Sequence, residues 1–77
     1  MKVTVEMSKV LVSVRTGLAE MTEVELPEDA TVGDALAAVG LPQGLWGIVV
    51  IGDRVGSAST RLFPGDRVTV FPPVSGG

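Results

Sequence analysis

The chain has 77 residues, 45% of them hydrophobic, with neither Cys nor His and a formal net charge of −3. A domain of this size hides only ~60% of the surface of its unfolded chain, which leaves room for one modest core, and without Cys no disulfide or thiolate-held metal supports it. Lack of His removes the commonest metal ligand and the side chain best suited to proton transfer near neutral pH, and the six basic residues are scattered from Lys2 to Arg67 in an acidic chain, so a metal site, a self-sufficient active site and a nucleic-acid partner are all disfavoured.

Apolar residues fall at Val3, Val5 and Met7, then at Val10, Val12 and Val14, a period-2 spacing with a phase slip near Ser8-Lys9. This predicts a strand from Lys2 to Arg15 interrupted once by a bulge or a turn. Thr16-Gly17 opens a short connection, and Met21 to Leu26 alternates as a second strand closed by Pro27. The chain thus begins as a hairpin-like pair.

Thr31-Val32-Gly33-Asp34 has the Ser/Thr-x-x-acid pattern of a helix start, with the Thr31 hydroxyl free to accept a backbone N–H and Asp34 placed at the positive end of the dipole. Val32, Ala35, Leu36 and Val39 form one apolar stripe, and Gly40 followed by Pro42 stops the helix. A helix of roughly eight or nine residues is marginal in water by itself, so the stripe is expected to pack on the sheet.

Beyond a loop containing Gln43-Gly44, the β-branched run Ile48-Val49-Val50-Ile51, bounded by Gly47 and Gly52, reads as a largely buried strand. Gly52-Asp53 turns the chain into a short strand around Arg54-Val55, followed by the polar segment Ser57 to Thr60. Pro64-Gly65-Asp66 is a further turn, and Arg67 to Phe71 alternates until Pro72-Pro73 ends the pairing. The order β-β-α-β-(β)-β, without repeats or a break in composition, predicts one α+β roll in which a mixed sheet wraps a single helix. The domain spans residues 1–71 and a tail spans 72–77. The longest apolar run, Leu45 to Ile51, is far below the roughly 20 residues needed to cross a bilayer, and Met1-Lys2 leads into alternation instead of a signal-type apolar run. A cytoplasmic protein with no membrane partner is expected.

The tail reads Pro72-Pro73-Val74-Ser75-Gly76-Gly77. The prolines stiffen the exit from the sheet and the two glycines leave its tip without side chains. Such a tip suits a narrow channel leading to the α-phosphate of ATP in another enzyme. There a terminal carboxylate, a poor electrophile, becomes an acyl-adenylate that a sulfur nucleophile converts to a thiocarboxylate. Gly-Gly by itself is also the composition of an ordinary chain end.

The stretch Leu62-Phe63-Pro64-Gly65-Asp66-Arg67-Val68-Thr69-Val70-Phe71-Pro72-Pro73-Val74-Ser75-Gly76-Gly77 closely resembles the end of the small, sulfur-carrying subunit of molybdopterin synthase, the MoaD-like family. The Gly-Asp turn, the hydrophobic strand and Phe-Pro-Pro-Val-Ser-Gly-Gly match in order. Weaker similarity covers the opening strand, Leu26-Pro27-Glu28-Asp29-Ala30-Thr31-Val32 and the strand ending in Gly52-Asp53. The helix and following loop are shorter than in molybdopterin synthase subunits, and in this the chain looks more like the ThiS carrier of thiazole synthesis.

The resemblance implies an α+β, β-grasp (ubiquitin-like) roll with a mixed four- to five-stranded sheet on one short helix. It implies a sulfur carrier that is not catalytic alone and binds no cofactor. In such a protein Gly77 is adenylated by an E1-like (MoeB-like) enzyme using ATP, and Gly77 as thiocarboxylate donates sulfur for molybdopterin (molybdenum or tungsten cofactor) synthesis inside a MoaE-like large catalytic subunit. Pro72, Pro73, Val74, Ser75, Gly76 and Gly77 would insert into that partner, and Met7, Leu62 and Phe71 match a docking patch. Met7 and Leu62 also fit ordinary core positions, whereas Phe71, beside the prolines at the edge of the fold, better suits an interface.

Alternatives from other classes stand beside this reading. The same acyl-adenylate on Gly77 serves a ThiS-like carrier, another thiolation pathway, or a ubiquitin-like modifier joined to target lysines. A TGS-like binding module would need no terminal Gly-Gly. Catalysis by the chain itself has little support: Ser8-Lys9 and Glu28-Asp29 are adjacent pairs whose side chains diverge in extended structure, and Gly40 and Gly44 to Gly47 lack the Lys-Ser/Thr of a phosphate loop.

Overall fold

Strands β1 (Lys2–Met7) and β5 (Arg67–Val70) run parallel at the centre of the sheet, with Val5 opposite Val68 and Met7 opposite Val70. β2 (Met21–Glu25) pairs antiparallel with β1, β3 (Val49–Ile51) pairs antiparallel with β5, and β4 (Arg54–Gly56) closes the far edge, giving the order β2-β1-β5-β3-β4. The computed structural model describes residues 1–14, 19–41 and 44–73. The expected turn at Thr16-Gly17, the loop residues Pro42 and Gln43, and the tail residues Val74, Ser75, Gly76 and Gly77 lie outside the described residues.

Alternation along the central strands sends Val3, Val5, Met7, Val68 and Val70 to one face, where they are joined by Val49 and Ile51 of β3. This inner face is covered by α2 (Val32–Ala38), which buries Val32, Ala35 and Leu36. The Thr31 hydroxyl accepts from the Asp34 N–H at 3.4 Å while the Thr31 N–H donates to Asp34 Oδ2 at 2.9 Å, a complete capping box. Two further donors of the first turn are satisfied from outside the helix: Val32 N–H donates to Thr60 C=O and Gly33 N–H to Ala58 C=O, both at 2.9 Å. The polar segment that sequence patterning left without a role thus completes the helix start.

At its other end α2 closes on Val39, and Gly40, at φ +81°, takes the left-handed position that a Cβ disfavours. Gly40 N–H donates to Ala37 C=O (3.1 Å) and Leu41 N–H to Leu36 C=O (2.9 Å), which turns the buried Leu41 back into the core. The helix has seven residues, slightly fewer than its apolar stripe predicts, because Val39 caps it.

The first predicted strand needs correction. Only Lys2–Met7 is β; after Ser8 the chain forms a helix, α1 (Lys9–Val14), and the phase slip marks neither bulge nor turn within a strand. Ser8 acts as the helix start: its Oγ accepts from Leu11 N–H (3.3 Å) and its C=O from Val12 N–H (3.1 Å). Burial falls on Leu11, which is 1% exposed and out of phase with the Val10-Val12-Val14 alternation. β-branched residues favour strands only where a neighbouring strand is there to receive them. Here the gain from burying Leu11 outweighs that propensity. The sheet therefore carries a second short helix besides the one expected.

Candidate functional site

Because β1 and β5 are parallel, both leave the sheet at the same end, and Ser8 N–H still donates to Val70 C=O there (2.9 Å). The tail begins at this end. Phe71 N–H donates to Ile48 C=O and Gly47 N–H donates to Phe71 C=O, each at 2.9 Å, so two successive residues answer one across the strand pair, the arrangement of a β-bulge. Pairing stops at once afterwards, since Pro72 and Pro73 have no N–H to offer. Pro72 is half-buried and Pro73 exposed.

The outer face of the sheet beside this exit is apolar. Phe71 (40% exposed), Ile48 (44%) and Val55 (77%) reach solvent, and the register sets Val50 opposite both Val55 and Thr69. Further across, the exposed Arg67 and the half-buried Glu6 form an ion pair at 3.6 Å, and Met21, opposite Glu6, is again exposed. This apolar patch runs from the β4 edge to the root of the tail, bordered by charge. Exposed apolar groups that adjoin one another and end in a polar rim are characteristic of protein-binding surfaces.

The structure separates the three residues matched to a docking patch. Phe71 is on the outer face, but Met7 (2% exposed) and Leu62 (0%) are core residues. Met7 points inward with Val3 and Val5 by strand alternation, and Leu62 is held beneath the start of α2 by its N–H bond to Ala30 C=O. Neither side chain is open to a partner. Sequence reasoning missed Ile48, Val50 and Val55 instead. A run of four β-branched residues resembles a strand buried on both faces, whereas an antiparallel strand at this position presents alternate residues outward. Ile48 also lies just outside β3.

Of the tail residues expected to enter a partner, Pro72 and Pro73 are placed at the exit beside Gly47. Val74, Ser75, Gly76 and Gly77 lie outside the described residues. No helix among the described residues is long and apolar enough to cross a membrane.

Comparison with known proteins agrees with this geometry. The ThiS family model matches residues 10–77. SAMP1 from Haloferax volcanii is 27% identical, with each chain covered completely and a TM-score of 0.76. A putative molybdopterin converting factor, subunit 1, from Pyrococcus furiosus is also 27% identical, with 95% of this chain and 98% of that chain covered and a TM-score of 0.70. At 20% identity and a TM-score of 0.64, both chains covered completely, the molybdopterin-converting factor of Helicobacter pylori, solved as a complex of subunits 1 and 2, shares the fold. No curated protein matches the sequence. The five-stranded mixed sheet is the ubiquitin-like β-grasp of these neighbours. With four of its five strands, α2 and its tail inside the matched span, the chain belongs to the ThiS family, the MoaD/ThiS group of ubiquitin-like sulfur carriers and modifiers.

Proposed function

We propose that this chain is a cytoplasmic sulfur carrier whose C-terminal Gly77 is activated by an E1-like (MoeB-like) enzyme and then serves molybdopterin synthesis in a MoaE-like partner. The Gly77 carboxylate attacks the α-phosphorus of ATP held by that enzyme, pyrophosphate leaves, and an acyl-adenylate forms. A sulfide-level sulfur nucleophile adds to the acyl carbon and expels AMP, leaving a thiocarboxylate that carries one sulfur atom. The chain contributes the acyl group and its delivery; ATP and the catalytic groups belong to the partners, so the chain is not an enzyme by itself.

The observation that carries this reading is the position of the tail root. Beyond Val70, the last buried residue among those described, the chain leaves the sheet through Phe71-Pro72-Pro73 at the border of the apolar outer face, so a partner seated on Ile48, Val50, Val55 and Phe71 receives the tail directly. Likeness to the Pyrococcus furiosus subunit 1 favours the molybdopterin route, and the Helicobacter pylori fold neighbour, solved with its subunit 2, supplies the kind of partner. A second reading, conjugation of Gly77 to target lysines, is favoured by likeness to SAMP1, a small archaeal modifier protein.

Intact mass after incubation with ATP, a sulfide donor and a MoeB-like enzyme tests the proposal. Exchange of one oxygen for sulfur, absent when Gly77 is deleted, is the expected result. Unchanged mass, with the enzyme competent on another carrier, refutes it, and lysines of co-expressed proteins carrying the tryptic remnant Val68–Gly77 in isopeptide linkage would transfer the assignment to the modifier.

A further inference from the structure

We infer that Gly47 is a positioning residue that sets the direction in which the tail leaves the fold, an inference resting on the reading of Gly77 as the working end. Four glycines, Gly40, Gly44, Gly52 and Gly65, have positive φ and nothing within 4 Å of the place a Cβ would occupy. Gly47 is the reverse case. Its φ is not in the left-handed region, so backbone conformation does not demand glycine, but space does. A Cβ on Gly47 would stand 2.6 Å from Pro73 Cα, 2.9 Å from the Pro72 carbonyl oxygen and 3.1 Å from Pro73 N. Carbon atoms pack at about 3.5–4.0 Å, so the first of these contacts is far inside contact distance. All three atoms are backbone, and no side-chain rotation relieves the collision.

Among the described residues Gly47 is the glycine whose missing side chain is replaced by tail backbone; Gly33 and Gly56 are crowded instead by Ala58 and by the Ile51 and Thr60 side chains. The same residue donates the bulge bond to Phe71 C=O, so contact and hydrogen bond act on consecutive residues of the exit. Bulges redirect a strand at its end. Here the doubled residues are Gly47-Ile48, and the segment that runs against them is Pro72-Pro73, whose fixed φ limits how far the chain can absorb an angular change there. Gly77 is four residues beyond Pro73, so Pro72-Pro73 set the point and direction from which the working end starts. A displacement of about 1 Å at a reacting atom slows chemistry as much as ~10²-fold.

The collision partners lie beyond Val70, the last core residue among those described, so the fold survives G47A while the tail moves. With full-length chain, ATP and a MoeB-like enzyme, pyrophosphate release by G47A should show kcat at least ~tenfold lower with KM within about twofold of wild type, because the outer face still docks while the carboxylate is misplaced. Amide exchange at Phe71 should accelerate while Val49 and Val68 stay protected. In the unsubstituted chain, a nuclear Overhauser effect between the Gly47 and Pro73 Hα protons is expected. Its absence overturns the inference, as does an equal kcat for G47A on an active wild-type background, or a G47A chain that fails to fold, which would make Gly47 merely structural. A wild-type chain that is not activated at all removes the carrier reading together with the inference resting on it.

Discussion

β1 and β5 are parallel neighbours that end side by side, yet the chain does opposite things at the two exits. After Met7 it turns back: Ser8 starts α1 and Leu11 is driven into the core. After Val70 it leaves: Phe71 stays exposed and Pro72-Pro73 end the pairing. Both exits begin at the same register, Met7 opposite Val70. What separates them is the supply of backbone donors and the position of the next apolar side chain. Ser8 can cap a helix and Leu11, three residues on, falls where a helix presents it to the core. Two prolines can neither donate to a ladder nor sit in a helix interior. The parallel centre of the sheet thus produces one anchored end and one projecting end at the same place.

That contrast breaks most completely at the tip. Deleting Gly77, or Gly76→Val, should abolish sulfur transfer as read by intact mass while leaving the urea unfolding midpoint in place; a midpoint that fell markedly would tie the tail to the core. At the anchored exit, Leu11→Ala should cost about 2–5 kcal/mol in chemical denaturation, since the residue is fully buried and its cavity cannot collapse freely. A cost below about 0.5 kcal/mol would mean that α1 does not hold its side of the comparison. Phe71→Ala probes the projecting side. We expect a stability change under about 1 kcal/mol and a loss of partner affinity of roughly tenfold or more in calorimetric titration, the pattern of an interface anchor. The smallest effect belongs to the start of α2, where Thr31→Ala should remove about 1 kcal/mol by deleting half of the capping box. Restoration by Thr31→Ser would assign that cost to the hydroxyl, and failure of Ser to restore it would assign it to lost packing.

Elements whose cause is local were legible in the sequence. The capping box of α2 needs only Thr31 and Asp34 three residues apart, its apolar stripe needs only helical spacing, and the stop at Gly40 needs only a residue tolerant of positive φ. β2 and β5 were legible from alternation, each ending one residue earlier than predicted. The stop of β5 was legible because Pro72-Pro73 have no N–H to give to a ladder. α1 was not, because Val10, Val12 and Val14 carry strand propensity and the burial of Leu11 depends on a core assembled from distant parts of the chain.

The candidate site divides along the same line. Composition and chain-local patterning by themselves determined a small single core without Cys or His and an end to pairing at Pro72-Pro73, since these depend on residue identity and chain-local geometry. The place of Phe71 beside the prolines already suited it to an interface, but that Met7 and Leu62 are core and that Ile48, Val50 and Val55 face outward was decided by tertiary structure. Met7, Leu62 and Phe71 are alike in hydrophobicity, and only strand register and the position of α2 bury the first two and expose the third. The importance of Gly47 is likewise invisible in sequence, where it reads as a strand boundary; its cause is the approach of Pro72-Pro73 from 25 and 26 residues away, a contact that exists only in the folded chain.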